Sequence, residues 1–443
     1  MNMGRLLLDI LNYNKYRFMK KLFFSLIMGI LMIACSSQFD EPKMTTPSEY
    51  GGQSVYLTPT EACEIASTAF ENFNNDGCAK PYSRSARNAY AHLYESSVFS
   101  RSQTPSLYVV DFEEGGFVVV NAHREASTQI YAVVEDGQFD DSDNPGLKYY
   151  MEYAEERAAS DHKKRLGNIE ILPPIEIKKD KLINRRDTLI TPVTKWHRNA
   201  PYNTKCALMP NSSERYPVGT IAMSLATLIA DQKSRRKDLR EESFRDGRVY
   251  YSFNWAEMLE FTTIDHLSKT GRDDVCELLE YFNTFDYRQD IKGDFINHDV
   301  VPDGLATIME YSHWLSKPYI FKNGTSVKVV MDTLCIRNTP QVIYGEEEDK
   351  SVGDVWLIQG ARIDTYQKVS PSIDGSEPGP IYEQEYLYFN WCLGGRSNGW
   401  YFYNGVWHDY YNNDDDTGNS DPDIVGESYT KNILMALGSL VSN

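Results

Sequence analysis

The sequence has no Cys-x-x-Cys pair, no histidine at zinc-ligand spacing from any cysteine, and no internal repeat. Those absences exclude a zinc-finger or thioredoxin-type motif and a solenoid. Basic residues are also in deficit, 45 Lys and Arg against 63 Asp and Glu, for a net charge of -18 at pH 7. Phosphate contacts need clustered Lys and Arg, so nucleic acid is excluded as a partner. Beyond that, the acidity signals solubility. No cofactor and no metal are expected. The acidic run Asn412 to Asn419 suggests calcium only superficially, because it lacks the glycine and the closing bidentate Glu of an EF-hand loop. It reads as a surface turn.

What is present is ordinary globular material with ample core. The 443 residues suffice for two or three domains, with 41% hydrophobic and 24% charged residues. Aromatics reach 13%, including 30 Tyr, a pattern common in extracytoplasmic, sheet-rich proteins. The longest apolar run is Leu22 to Ala34, 13 residues, too short to span a bilayer comfortably. It follows Met19-Lys20-Lys21 and ends Leu31-Met32-Ile33-Ala34-Cys35, which resembles a lipobox. Cys35 is therefore the expected lipidation site, Met19 the expected true start, and residues 1–18 an extension. The Asp40-Glu41 pair resembles a surface-export signal, and residues 36–55 read as a flexible tether. The expected location is the outer membrane or cell surface, with membrane contact through the N-terminal lipid alone. The other six cysteines, Cys63, Cys78, Cys206, Cys276, Cys335 and Cys392, could bridge in an oxidising compartment. Their scatter gives no framework, and free, buried thiols are the preferred reading.

Along the mature chain, Thr58-Pro59-Thr60-Glu61 is a capping pattern opening an amphipathic helix to Asn74. Residues 106–112 and 116–121 read as a hairpin with glycine at the turn, 130–134 as a third strand, and 147–159 as a helix. Residues 56–160 are thus a small α+β domain. Residues 161–190 are basic and aperiodic and read as an exposed connector, a site where a processing protease could cut. From 191 to 443 a larger domain is expected. Helices fall at 220–231 and 274–282, and strands at 327–330, 341–344, 355–358, 386–389 and 399–402.

Several stretches then carry a resemblance. Residues 107–121 and 131–140 resemble the inhibitory prodomain of the streptopain-like cysteine peptidases. Thr194-Lys195-Trp196 with Pro201 to Cys206, Phe253 to Met258, and Asn390-Trp391-Cys392-Leu393-Gly394-Gly395 followed by Gly399-Trp400-Tyr401 resemble landmarks of the peptidase domain. The resemblance implies an α+β fold, with a small α+β prodomain in intramolecular contact with a papain-like, two-lobed domain. It implies a cysteine nucleophile at a helix start, a histidine base before a strand, a glutamine donor after a Trp, and an Asn-Trp pair that orients the histidine.

The matching positions here hold Thr220, Asp354 and Arg198, and only Asn390 and Trp391 remain as the resemblance implies. An alkyl hydroxyl is far less acidic than a thiol of pKa about 8.5. Working threonine nucleophiles usually borrow a free terminal amine, and Thr220 is internal. A carboxylate of pKa about 3.9 is a poor base near pH 7. Losing nucleophile and base together typically costs about a millionfold in turnover. The expected function is that of an inactive pseudopeptidase with a peptide or protein ligand, and the alternative is an active endopeptidase made as a self-inhibited zymogen. Cys206, Cys276, His197 and His313 read as structural, and Cys392 as filling space where the family has glycine. Arg198 and Asp354 either pair across the old site or both face solvent.

Overall fold

The computed structural model describes residues 55–74, 85–94, 106–166 (apart from 125, 127 and 143), 180–235, 243–246, 249–285, 319–322, 326–346, 353–368, 379–403 and 434–437. Cys35, Cys78, His313 and the run 412–419 lie outside them.

Helices and one large antiparallel sheet make an α+β fold. The chain begins with helix α1 (Pro59–Asn74). Its start is the expected capping box, with Thr58 N donating to Glu61 Oε2 at 2.8 Å and Glu61 N to Thr58 Oγ1 at 3.3 Å. Four strands follow, β1 (Ala89–Leu93), β2 (Leu107–Phe112), β3 (Phe117–Asn121) and β4 (Ile130–Val134). Ala62, Ala66, Ala69 and Phe70 are buried with them in one apolar cluster. Helix α2 (Pro145–Leu166) comes next, then strand β5 (Lys181–Leu189).

Helices α3 (Thr220–Arg235), α4 (Trp255–Met258) and α5 (Lys269–Phe285) supply most of a second apolar cluster. A separate hairpin, β6 (Ser243–Asp246) with β7 (Val249–Ser252), lies among them in sequence. The remainder is β8 (Tyr319–Lys322), α6 (Val327–Arg337), β9 (Gln341–Glu346), β10 (Gly353–Gln367), β11 (Ile381–Asn390), β12 (Gly399–Phe402) and β13 (Leu434–Leu437).

The sheet runs β1-β2-β3-β4-β12-β11-β10-β9-β13-β8, with β5 also pairing β10. Its seam is β4 against β12, where Trp400 faces Val133 and Tyr401 faces Ala132. Gly399 permits that approach, since a Cβ there would lie 2.5 Å from the Val133 carbonyl oxygen. The small N-terminal α+β region and the larger region therefore share one ladder of hydrogen bonds, not just a packed boundary.

Strands β9 and β10 are buried on both faces, and their alternation assigns the faces. Val355 and Leu357 join the helical cluster of α3 and α5, as do Val342 and Tyr344. Trp356, Ile358 and Ile343 join the other cluster, with α1, α2 and β1–β4. Asp354 has the parity of Trp356, so its side chain belongs to the α2 side.

Two expectations differ from this structure. Residues 327–330 form the first turn of α6, not a strand. Ser326 caps it by accepting from Val329 N at 3.4 Å, and Val327, Val330, Met331 and Leu334 are buried at helical spacing. The valine run favours a strand locally, but the buried period overrides it. The expected connector 161–190 likewise holds the end of α2 and the whole of β5. Strand β5 pairs with residues 360–367 of β10, and its side chains are mostly exposed. A charged outer strand of that kind shows no alternation in sequence.

A buried ionic pin fastens that strand. Arg185 Nε donates to Asp364 Oδ1 at 2.8 Å and Arg185 NH1 to the Asn72 carbonyl at 2.9 Å. Arg362 NH2 donates to Asp364 Oδ2 at 2.9 Å, with its guanidinium 3.8 Å from the Phe73 ring centroid. Helix α1, β5 and β10 are tied at one place.

Candidate functional site

Helix α3 begins at Thr220 without a side-chain cap, because the preceding residue is Gly219. Met223 N donates to Gly219 O at 3.0 Å, and Gly219 N donates to Asn283 Oδ1 at 3.1 Å. The amides of the first turn thus have no intrahelical partner, and the positive end of a 16-residue helix dipole faces this point. Such a terminus suits a thiolate or another anion. Thr220 supplies a neutral hydroxyl, and its Oγ1 is buried with no hydrogen-bond partner.

Thr220 lines a narrow cleft together with Pro145, Arg198, Asp354, Trp391 and Cys392. About 220 Å³ there is not filled by atoms, in passages too thin to hold a water molecule. The fold thus brings Thr220, Arg198, Asp354 and Trp391 together, and Asn390 adjoins Trp391.

Arg198 and Asp354 do not pair. Arg198 is half-buried and its Nε donates to the Val218 carbonyl at 2.6 Å, while Val218 N donates to Arg198 O at 2.8 Å. The first of those bonds folds the guanidinium back onto Val218, two residues before the α3 start. Asp354 is buried, so it does not face solvent either. Its Oδ1 accepts from Val355 N at 2.8 Å and its Oδ2 from Gly146 N at 3.2 Å.

Asn390 and Trp391 sit in a rigid corner. Asn390 Oδ1 accepts from Cys392 N at 2.9 Å and Asn398 Nδ2 at 3.1 Å. Trp391 N donates to Asn398 Oδ1 at 3.0 Å and its indole Nε1 to Tyr401 Oη at 3.1 Å. The Trp391 ring lies 4.9 Å from that of Trp356. Asn390 Nδ2 is buried without a partner.

Cys392 has φ +59°, the left-handed conformation that favours glycine. Its Sγ accepts from Ser224 Oγ at 3.8 Å and donates to the Asn390 carbonyl at 3.6 Å. It fills the space between α3 and the β11 end, and burial pushes its thiol up to about 12. Cys206 is pushed to about 11 by the same cause, and Cys276 upward as well. None of the five described cysteines is bridged; four are buried and Cys335 is exposed. Burial lowers His197, whose Nδ1 accepts from Asn199 N at 3.3 Å. Among the described residues no hydrogen bond joins a cysteine to a histidine.

The residues missed from sequence are Asn144, Pro145 and Gly146, which bring the start of α2 into the cleft. Asn-Pro before a helical run is an N-cap and first-turn signal that points to a helix beginning at Pro145, two residues before the expected one.

No family model matches the chain, and no curated protein matches it. Among solved structures, a cysteine-to-alanine mutant fragment of Prevotella intermedia prointerpain A is similar at a TM-score of 0.45 and 16% identity. That match covers 78% of this chain and 98% of the other. The active wild-type Prevotella intermedia interpain A cysteine protease is similar at a TM-score of 0.33 and 13% identity, over 48% of this chain and 85% of the other.

Proposed function

We propose that this chain is a non-catalytic, lipid-anchored relative of the streptopain-like cysteine peptidases, whose cleft serves a peptide or protein ligand. The observation that carries this reading is Thr220. At the start of α3, where the resemblance implies a thiolate, stands a buried hydroxyl that no base touches. A serine- or threonine-type nucleophile needs a base within hydrogen-bond reach. The carboxylate at the base position, Asp354, has both oxygens engaged by backbone N–H groups. The donor position, Arg198, is turned onto Val218. Asn390 and Trp391 keep their corner, which supports descent from a working site.

One double variant, set against the parent chain, tests the reading with casein. The parent chain should cleave nothing. Thr220→Cys combined with Asp354→His regains hydrolysis, because thiol and imidazole are restored beside the helix start and the Asn390-Trp391 corner. Cleavage by the parent chain overturns the proposal. The anchor is tested separately: Cys35→Ser abolishes incorporation of a labelled fatty acid and releases the protein from membranes. Unchanged labelling contradicts it.

A further inference from the structure

The N-terminal half of the molecule reaches the cleft at the first turn of α2, and there the donors can be counted. Pro145 has no N–H. Leu147 N donates to Asn144 Oδ1 at 3.0 Å and Lys148 N to Asn144 O at 3.0 Å. Asn144 and Pro145 are thus the cap and first residue of the helix. One first-turn donor remains, Gly146 N–H, and it is buried where water cannot reach it. It donates to Asp354 Oδ2 at 3.2 Å, across 208 residues of sequence.

The carboxylate is held for this contact from its own side. Asp354 Oδ1 accepts from Val355 N at 2.8 Å, and strand alternation turns the side chain toward α2. A carboxylate at a helix N-terminus is favoured by the dipole as well as by the hydrogen bond. Position 146 admits only glycine at this distance, since a Cβ would lie 2.5 Å from the Trp391 ring and 3.2 Å from Asp354 Oδ2. Pro145 itself forms part of the cleft wall.

We infer that Asp354 is a clasp, which seats the start of α2 against Trp391 and keeps the cleft shut by the protein's own N-terminal half. Opening the cleft requires this bond to break, whatever ligand the cleft takes. The clasp does not depend on the proposed ligand or on the absence of peptidase activity.

Cys392 reports on it, being in the cleft wall and 3% exposed. Cys276 is the internal control, at 6% exposure in the same helical cluster as Cys392 but outside the cleft lining. The experiment is modification of the full-length protein by N-ethylmaleimide, with the rate at each cysteine read by peptide mass. Asp354→Ala and Gly146→Ala should each speed Cys392 by about tenfold or more relative to Cys276, in keeping with one charge-assisted bond at a helix end. Asp354→Asn should give a smaller rise, because the amide oxygen still accepts but carries no charge. An unchanged ratio of Cys392 to Cys276 in both alanine variants overturns the inference. So does a parallel rise at both cysteines, which would mean that the contact supports the whole fold and not the cleft alone. Should Asp354→Ala fail to fold, Gly146→Ala and Asp354→Asn decide by the same ratio.

Discussion

Two helices point their N-termini at one cleft, and they end differently. Helix α2 has Asn144 as cap, Pro145 where an N–H would be idle, and Asp354 for the remaining donor. Helix α3 has Gly219, which offers no side chain, and Thr220, whose hydroxyl has no partner. Catalytic sites often leave a helix end unsatisfied so that it can meet a charged reactant. Structural helix ends are filled. The α3 end follows the first pattern with a neutral hydroxyl where a charged group would sit, and the α2 end follows the second, completed by Asp354. On the function proposed above, the cleft is a former reaction centre, one side left empty and the other put to structural use.

Substitutions at the two ends should separate them by size. The largest effect belongs to Gly146→Leu, which drives a side chain into Trp391 and should lower stability by about 3 kcal/mol. A drop in Tm with altered near-ultraviolet dichroism from the Trp356–Trp391 pair checks it. The body of α3 gives a comparable effect, dependent on pH. Asp231 is buried beside Gln359 and Val193, and burial, offset in part by Arg235, raises its carboxyl from 3.8 to about 6. A raised folded-state pKa means that the neutral form is preferred in the fold. The associated stability is fully present below about pH 4 and lost as pH rises through 6. Two pKa units set its ceiling at about 3 kcal/mol. In Asp231→Asn the dependence should vanish, with Gln359 turning its unpartnered Oε1 to the new amide. Urea unfolding at pH 4 and pH 7 measures it.

Asp354→Ala comes next. It orphans the Gly146 N–H, but local opening of the cleft lets water reach that donor, so the same unfolding curves should show a loss of under about 1 kcal/mol. The smallest change is Thr220→Val. Removing a buried hydroxyl that bonds to nothing should leave stability unchanged or raise it by up to about 1 kcal/mol. A loss above about 1 kcal/mol there would show that Thr220 does structural work, and the contrast between the two helix ends would fail.

Much of this was legible in sequence where local chemistry and tertiary demand agree. The Thr58–Glu61 capping box, the 106–121 hairpin and the Thr220 helix all stand as read, because cap, turn and period each favour the observed element. Val327 to Val330 misled because a β-branched run says nothing about which face will be buried. Lys181 to Leu189 was missed because an outer strand paired along one edge needs no alternating pattern; its register comes from β10 and from Arg185. Motif order singled out Thr220, Arg198 and Asp354, and the fold lines one cleft with all three. Their contacts were not legible, since Gly146 and Asp354 are 208 residues apart and meet only in the tertiary fold. A charge pair between Arg198 and Asp354 was a reasonable expectation from residue type alone. Backbone partners took both groups first.

Whether this cleft holds a cysteine nucleophile is decided by an epoxide that alkylates peptidase thiolates. The full chain, and a form opened by a specific protease site placed within residues 167–179, are incubated with the epoxide and with casein. Every cysteine is then assigned by peptide mass. Casein should stay intact, and in neither form should Cys392, Cys206 or Cys276 react faster than the exposed Cys335. Casein cleavage abolished by labelling of one cysteine would contradict the non-catalytic reading.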